Sequence, residues 1–406
     1  MPTLTQKINR FAERVDDGAA INIAIFGLGS VGHYLLEFLL ALRDPRLRIH
    51  VVGRNRAKME CAVNLSRVAA LIRGGLVNEI RVVEADFNSV DSLTLAFRQI
   101  RPDIVVNASR AYSGLKYGSI SWQAVRAYGL WAPLAVRYLK NIMQAYAASE
   151  SAALVINTSY ADATNAWLKS AGLPHPDFGS GNLNHLVPRI KLAVAAHLGI
   201  EDPALIDEID VTLATSHFHD VVISKEGGTE GVAPLLHVEH LGRPVSIDPA
   251  ELYRRCAIAM PVDHRRNMMN ASSNCEIISR LLVAVRTRSF QKLHVPGFDG
   301  LIGGYPVVVR PEEGEFSCDV FASPFSRAEM IAHNRASIYL DGIADVSAGT
   351  LVYTRELGEK VARAFGCQLP REVPLAQSDE VAEWLIERII RPTQARAAAA
   401  AADAGA

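Results

Sequence analysis

Gly27, Gly29 and Gly32 stand in a G-x-G-x-x-G spacing within AIFGLGSVGHYLLEFLL, after an apolar run and ahead of a helix-forming one. That context suits a phosphate cradle. The first glycine permits the turn, the second lets a pyrophosphate approach the backbone, and the third lets helix pack on strand. The helix start, with the N–H groups of Ser30 and Val31, offers partial positive charge to an anion. The next apolar run ends in VVGRNRAK. A site that prefers NAD places Asp or Glu here to hold a ribose 2′-hydroxyl. This chain has Arg54, Asn55 and Arg56 instead, which suits a 2′-phosphate and predicts NADP, with NAD the lesser choice.

Other residues invite chemistry less strongly. His217 and His219, two apart on a strand-like run, would share one face as metal ligands do, with His237, His240 and His264 nearby in sequence. No Asp/Glu-rich frame accompanies them, so no metal is expected. Tyr112 and Tyr117 line a substrate pocket, donate a proton, or are half-buried loop aromatics. The five cysteines, Cys61, Cys256, Cys275, Cys318 and Cys367, are widely spaced and form no C-x-x-C, which suggests reduced thiols.

The elements that would position these residues alternate in type. Strand-like runs at Ile21–Gly27, Leu47–Asn55, Glu79–Asp86, Pro102–Ser109 and Ala152–Ser159 are separated by helical ones. The last of these helical runs is long, with a kink expected at Pro133. The fold class predicted is α/β: an N-terminal Rossmann-type, doubly wound parallel sheet, then an α+β C-terminal domain. The divisions expected are an arm or short amphipathic helix at 1–18, a dinucleotide-binding domain at 19–164, a substrate domain at 165–366, and a C-terminal helix with an Ala-rich tail at 367–406.

Over roughly residues 20–345 the order of pieces resembles the lactate/malate dehydrogenase superfamily. INTSYADATNAWLKSAGLP and FGSGNLNHLVPRIKLAVAAHLGI resemble that family's NP turn and the helix bearing its substrate arginine. TLATSHFHDVV resembles the segment of its catalytic histidine. The resemblance implies that Asn157 contacts cofactor and substrate, with Asn107 and Ala108 also at the cofactor. It makes His217 the proton carrier, or His219 in a second register, oriented by Asn184. The family's substrate arginine falls on Val187. Arg189 lies nearby on another helical face, and Arg110 and Lys116 are candidates in the loop. Ser272 and Ser273 fall near the specificity position, as hydrogen-bond donors or as helix caps.

The reaction implied is hydride transfer between NADP and a carbonyl substrate resembling a 2-keto or 2-hydroxy acid. The alternatives are an NADP-binding sensor or scaffold without turnover, and an opine- or saccharopine-type imine dehydrogenase. The net charge of −1, from 42 basic and 43 acidic residues, advertises neither nucleic acid nor anionic membrane. No apolar run spans a bilayer, and the polar N-terminus does not read as a secretory signal, so a cytoplasmic location is expected. An apolar stripe with Leu130, Leu134, Tyr138 and Ile142 suggests a homodimer or homotetramer.

Overall fold

The structure, a computed structural model, describes residues 2–120, 124–216, 233–261 and 263–404. Helix α1 (Leu4–Asp16) opens the chain, followed by β1 (Ile21–Phe26), α2 (Ser30–Ala41), β2 (Leu47–Gly53), α3 (Arg56–Ile72), β3 (Glu79–Glu84), α4 (Val90–Ile100) and β4 (Ile104–Asn107). Then come α5 (Gly114–Ile120), α6 (Ala132–Ala148), β5 (Leu154–Asn157), α7 (Ala161–Ser170), β6 (Phe178–Gly179), α8 (Asn182–Leu198) and β7 (Ile209–Ala214). Strands β1 to β6 form one parallel sheet in the order β3-β2-β1-β4-β5-β6. The strands are apolar because helices cover both faces. Phe26, Val52 and Val105 face α4 and α6; Ile23, Ile25 and Val51 face the other side, with α1 and α2. The strand order reverses between β1 and β4, and a crevice opens there at the carboxyl ends of the strands.

Three small antiparallel sheets follow: β7 with Leu235–His240 and Arg243–Pro244; Gln291–Pro296 with Gly304–Glu312 and Glu315–Val320; and Ile343–Ser347 with Thr350–Tyr353 and Glu372–Pro374. Among the described residues, no helix is long and apolar enough to cross a membrane.

Of the two readings of 1–18, an arm or a short amphipathic helix, the structure shows the helix. Helix α1 buries Ile8, Phe11 and Val15, and Lys7 makes a buried ion pair with Asp177 at 2.8 Å. Asp177 also accepts the Val155 N–H, so α1 is tied to the sheet at β5. Pro133 produces no kink, because α6 begins at Ala132 and the proline occupies its first turn, where a missing N–H costs nothing. The apolar stripe Leu130, Leu134, Tyr138, Ile142 is buried within the chain itself. The helix Ser378–Leu385 lies against α6, with Arg137 paired to Glu383 and Lys140 to Asp379 at 3.1 Å.

Candidate functional site

The crevice at the switch point is a cleft of about 1130 Å³. One end is built from the glycine loop and the end of β2. Gly27 has φ +101°, and a Cβ there would sit 2.8 Å from the Ser109 Cα. A Cβ on Gly32 would meet the Gly27 carbonyl oxygen at 2.1 Å. Protein packing alone therefore explains these two glycines. Gly29 is different: its φ of −79° suits any residue, and an added Cβ would meet nothing within 4 Å. The space it leaves open lies in the cleft at the N-terminus of α2, where a pyrophosphate would approach. Ser30 and Val31 line the same wall.

Arg54 and Asn55 line the cleft at the end of β2. The Arg54 guanidinium lies over the Tyr138 ring, 5.8 Å from its centroid, and Tyr138 packs on Phe87 at 5.4 Å. This is a cationic group on an aromatic floor. Tyr138 therefore belongs to the cleft wall as well as to the α6 stripe. Asn55 also caps α3, accepting the Lys58 N–H at 2.9 Å. Arg56 turns away: it pairs with Glu60 at 2.8 Å and is not on the cleft wall. Lys58, which the sequence did not single out, stands on that wall near Arg54.

Asn107 and Asn157, expected at the cofactor, are fully buried and absent from the cleft wall. They are register partners at the ends of β4 and β5, and Asn107 Nδ2 donates to Asn157 Oδ1 at 3.0 Å. Each accepts from the loop that follows its own strand. Ser109 N–H and hydroxyl donate to Asn107, and Ser159 N–H donates to Asn157. Their amides shape the two loops that line the cleft, because a buried amide must be matched and the adjacent strand supplies the match. Ala108, Ser109, Thr158 and Ser159 are the residues that reach the wall.

Past the sheet, Thr158, Ser180 and Asn274 form a buried network. Ser180 Oγ donates to Asn274 Oδ1 at 2.8 Å, and Asn274 Nδ2 donates to Thr158 Oγ1 at 3.0 Å. Asn274 sits on the helix Asn267–Thr287, which starts earlier than the sequence suggested. Ser272 and Ser273 are therefore inside the helix rather than capping it. They donate to the carbonyls of Met268 and Met269, and neither lines the cleft. The first turn of that helix does so instead, through Arg266, Asn267, Met269 and Asn270.

Asn184, expected to orient a histidine, is engaged with backbone at both ends of its amide. It accepts the Gly181 N–H at 3.0 Å and donates to the His294 carbonyl at 2.6 Å. His294 is held neutral, its pKa lowered to about 3 chiefly by burial, and its Nε2 accepts the Leu213 N–H. These contacts fix β7, the strand that leads towards His217. His217 and His219 lie outside the described residues, as does the side chain of Lys116. Arg189 is buried, with its Nη2 3.3 Å from the Met260 sulfur, away from the cleft. The next residue after Asn184, His185, does line the cleft and is buried.

Arg110 lines the cleft too. It donates to the Tyr117 hydroxyl at 3.3 Å and to the Thr158 carbonyl at 3.4 Å, passing over Gly114, where a Cβ would be 2.2 Å from Nη1. Tyr112 and Tyr117 are on the same wall. Among the described residues, no group of three or more His, Cys, Asp or Glu is placed to hold a metal ion.

No family model and no curated protein matches the chain. Solved structures do. A lactate dehydrogenase from Eimeria maxima, solved with NADH and oxamate, is 12% identical with a TM-score of 0.51, over 79% of this chain and 91% of that one. A malate dehydrogenase from Plasmodium falciparum, in complex with NADH, is 13% identical with a TM-score of 0.48, over 79% and 97%. A lactate dehydrogenase from a Medee basin deep-sea metagenome library is 11% identical with a TM-score of 0.45, over 79% and 97%. Strand order, the glycine turn and the likeness to the Eimeria maxima enzyme together show a lactate dehydrogenase-like fold.

Proposed function

We propose that the protein is an NADP(H)-dependent oxidoreductase acting on a carbonyl compound. One observation carries this reading: Gly29 leaves space that no atom of the described residues uses, over a helix N-terminus, in a cleft that runs from Arg54 to His185. The complex of the Eimeria maxima enzyme with NADH supports a nicotinamide cofactor. When bound, the nicotinamide supplies or takes the hydride. The chain's own part is positional. The N–H groups opening α2 would hold the phosphates, and Arg54 and Lys58 would hold a 2′-phosphate. In this reading the proton that accompanies the hydride is carried by His217, or by His219 in the second register. His185 is the cleft-lining histidine of the described residues. A positioned imidazole gives and takes a proton near neutral pH.

The test is a fluorescence titration with NADPH and NADH. NADPH is expected to bind at least about tenfold more tightly, about 1.4 kcal/mol. Arg54→Asp should reverse the order. Equal affinities would remove the NADP assignment, and binding of neither would remove the oxidoreductase reading. Binding with no turnover of any carbonyl or imine substrate would favour a sensor.

A further inference from the structure

Opposite the Arg54 end, the cleft is walled by aromatic side chains from separate parts of the chain. Tyr112 and Tyr117 come from the segment after β4, Tyr128 and Trp131 from the approach to α6, and Tyr160 from the loop after β5. They are not loosely hung. Tyr117 packs on Trp131 with ring centroids 4.9 Å apart. The Tyr160 hydroxyl donates to the buried Asp341 carboxyl at 2.9 Å, and the same carboxyl accepts the Tyr128 backbone N–H. One carboxyl from the second half of the chain thus fixes two aromatic walls. Tyr160 holds φ +50°, a left-handed conformation rare for an aromatic residue, and such strain persists where the surroundings over-determine it.

Two buried polar atoms on these walls, Trp131 Nε1 and Ser159 Oγ, have no hydrogen-bond partner among the described residues. A buried N–H left unmatched is costly, and a substrate that brings an acceptor relieves it. The exposed Arg110 guanidinium stands beside Tyr117 and supplies positive charge at the same end. A three-carbon acid would leave most of this aromatic surface uncovered, whereas flat rings stack or meet edge-to-face on it.

We infer that this end of the cleft takes a ring-bearing carboxylate, its aromatic ring against Tyr112, Tyr117, Tyr128 and Tyr160, an acceptor towards Trp131 and its carboxylate facing Arg110. The inference rests on the proposed oxidoreductase reading only in assigning the other end of the cleft to the cofactor.

Calorimetric titration of the full chain with NADP+ present tests it, using phenylpyruvate, pyruvate and glucuronate as probes. Phenylpyruvate should bind at least about tenfold more tightly than either of the others. Trp131→Phe keeps the ring and removes the N–H, and should weaken phenylpyruvate severalfold without weakening NADP+. Tyr112→Ala, at a half-buried loop position, should abolish the preference over pyruvate. Pyruvate or glucuronate binding as tightly as phenylpyruvate would overturn the inference, as would both variants retaining full preference. The two readings fail separately. NADP+ binding without ring preference removes only the ring site. Phenylpyruvate binding that depends on Tyr112, in a protein that binds neither NADP+ nor NADPH, removes only the oxidoreductase reading.

Discussion

Asn267 donates from its side-chain amide to the Ser30 hydroxyl at 2.6 Å, joining the first residues of two helices that face the same cleft from the two halves of the chain. Ser30 follows the glycine turn directly, so the bond ties the second half to the wall where a pyrophosphate would rest. Asn267→Ala should cost stability by about 1 kcal/mol or less, the scale of one partly exposed hydrogen bond. NADPH affinity should fall about fivefold, about 1 kcal/mol. Urea unfolding and a ligand titration on the same sample measure both. Unchanged affinity would show that the bond serves the fold alone.

The three glycines of the turn separate packing from binding. Gly32→Ala places a methyl group 2.1 Å from the Gly27 carbonyl oxygen and should cost at least about 1–3 kcal/mol or abolish soluble expression. Gly29→Ala meets nothing and keeps an ordinary φ, so the melting temperature should barely move. NADPH binding should nevertheless weaken by about tenfold or more, because the methyl group occupies the approach to the helix N-terminus. A Gly29→Ala protein that binds NADPH normally would remove the cradle.

Asp341 is fully buried, and its carboxyl pKa rises from 3.8 to about 7, chiefly by desolvation and against the lowering effect of its hydrogen bonds from Tyr160 and Tyr128. Between those two values the folded state holds a proton that the unfolded state has lost. Stability from this group is therefore highest at acidic pH, falls as pH rises from about 4 to about 7, and levels off above that range. A shift of that size carries a few kcal/mol. Asp341→Asn keeps the shape and removes the titration. Its melting temperature should overtake that of the unsubstituted protein at pH 8 and lose that advantage at pH 5. Parallel pH dependence in the two proteins would contradict the assignment.

Three histidines divide the proton-transfer question. Once a substrate is in hand, His217→Asn should lower turnover by about 10² to 10⁴ and leave NADPH affinity nearly untouched. His219→Asn having that effect instead would shift the register by two residues. The same loss appearing only in His185→Asn would transfer the role to the histidine on α8.

Much of the nucleotide half was legible because its signals are local. The turn glycines, the arginine after β2 and the alternation of apolar runs each act within a few residues. What the sequence hid was direction. Asn107 and Asn157 are the right amides at the right strand ends, yet they point inward at each other, and no spacing reveals that. The resemblance puts Ser272 and Ser273 near the specificity position, and the helix-cap reading of them starts the helix after Asn274, whereas it starts at Asn267. The polar first turn, with Arg266 and Asn267, gave no periodic signal. The α6 stripe was visible as apolar; what was not visible is that Tyr138 would pack on Phe87 at the cleft, or that the distant helix Ser378–Leu385 would lie against α6. Lys7 has no local signal of burial; its partner Asp177 is distant in sequence.

That distant cover has a consequence for biosynthesis. The face of α6 bearing Arg137 and Lys140 leaves the ribosome long before its partners Glu383 and Asp379, with 246 residues between Arg137 and Glu383. The parallel sheet can assemble earlier, but that face of α6 waits for Ser378–Leu385 to be made. A nascent chain stalled before Ser378 would therefore leave one face of α6 without its cover.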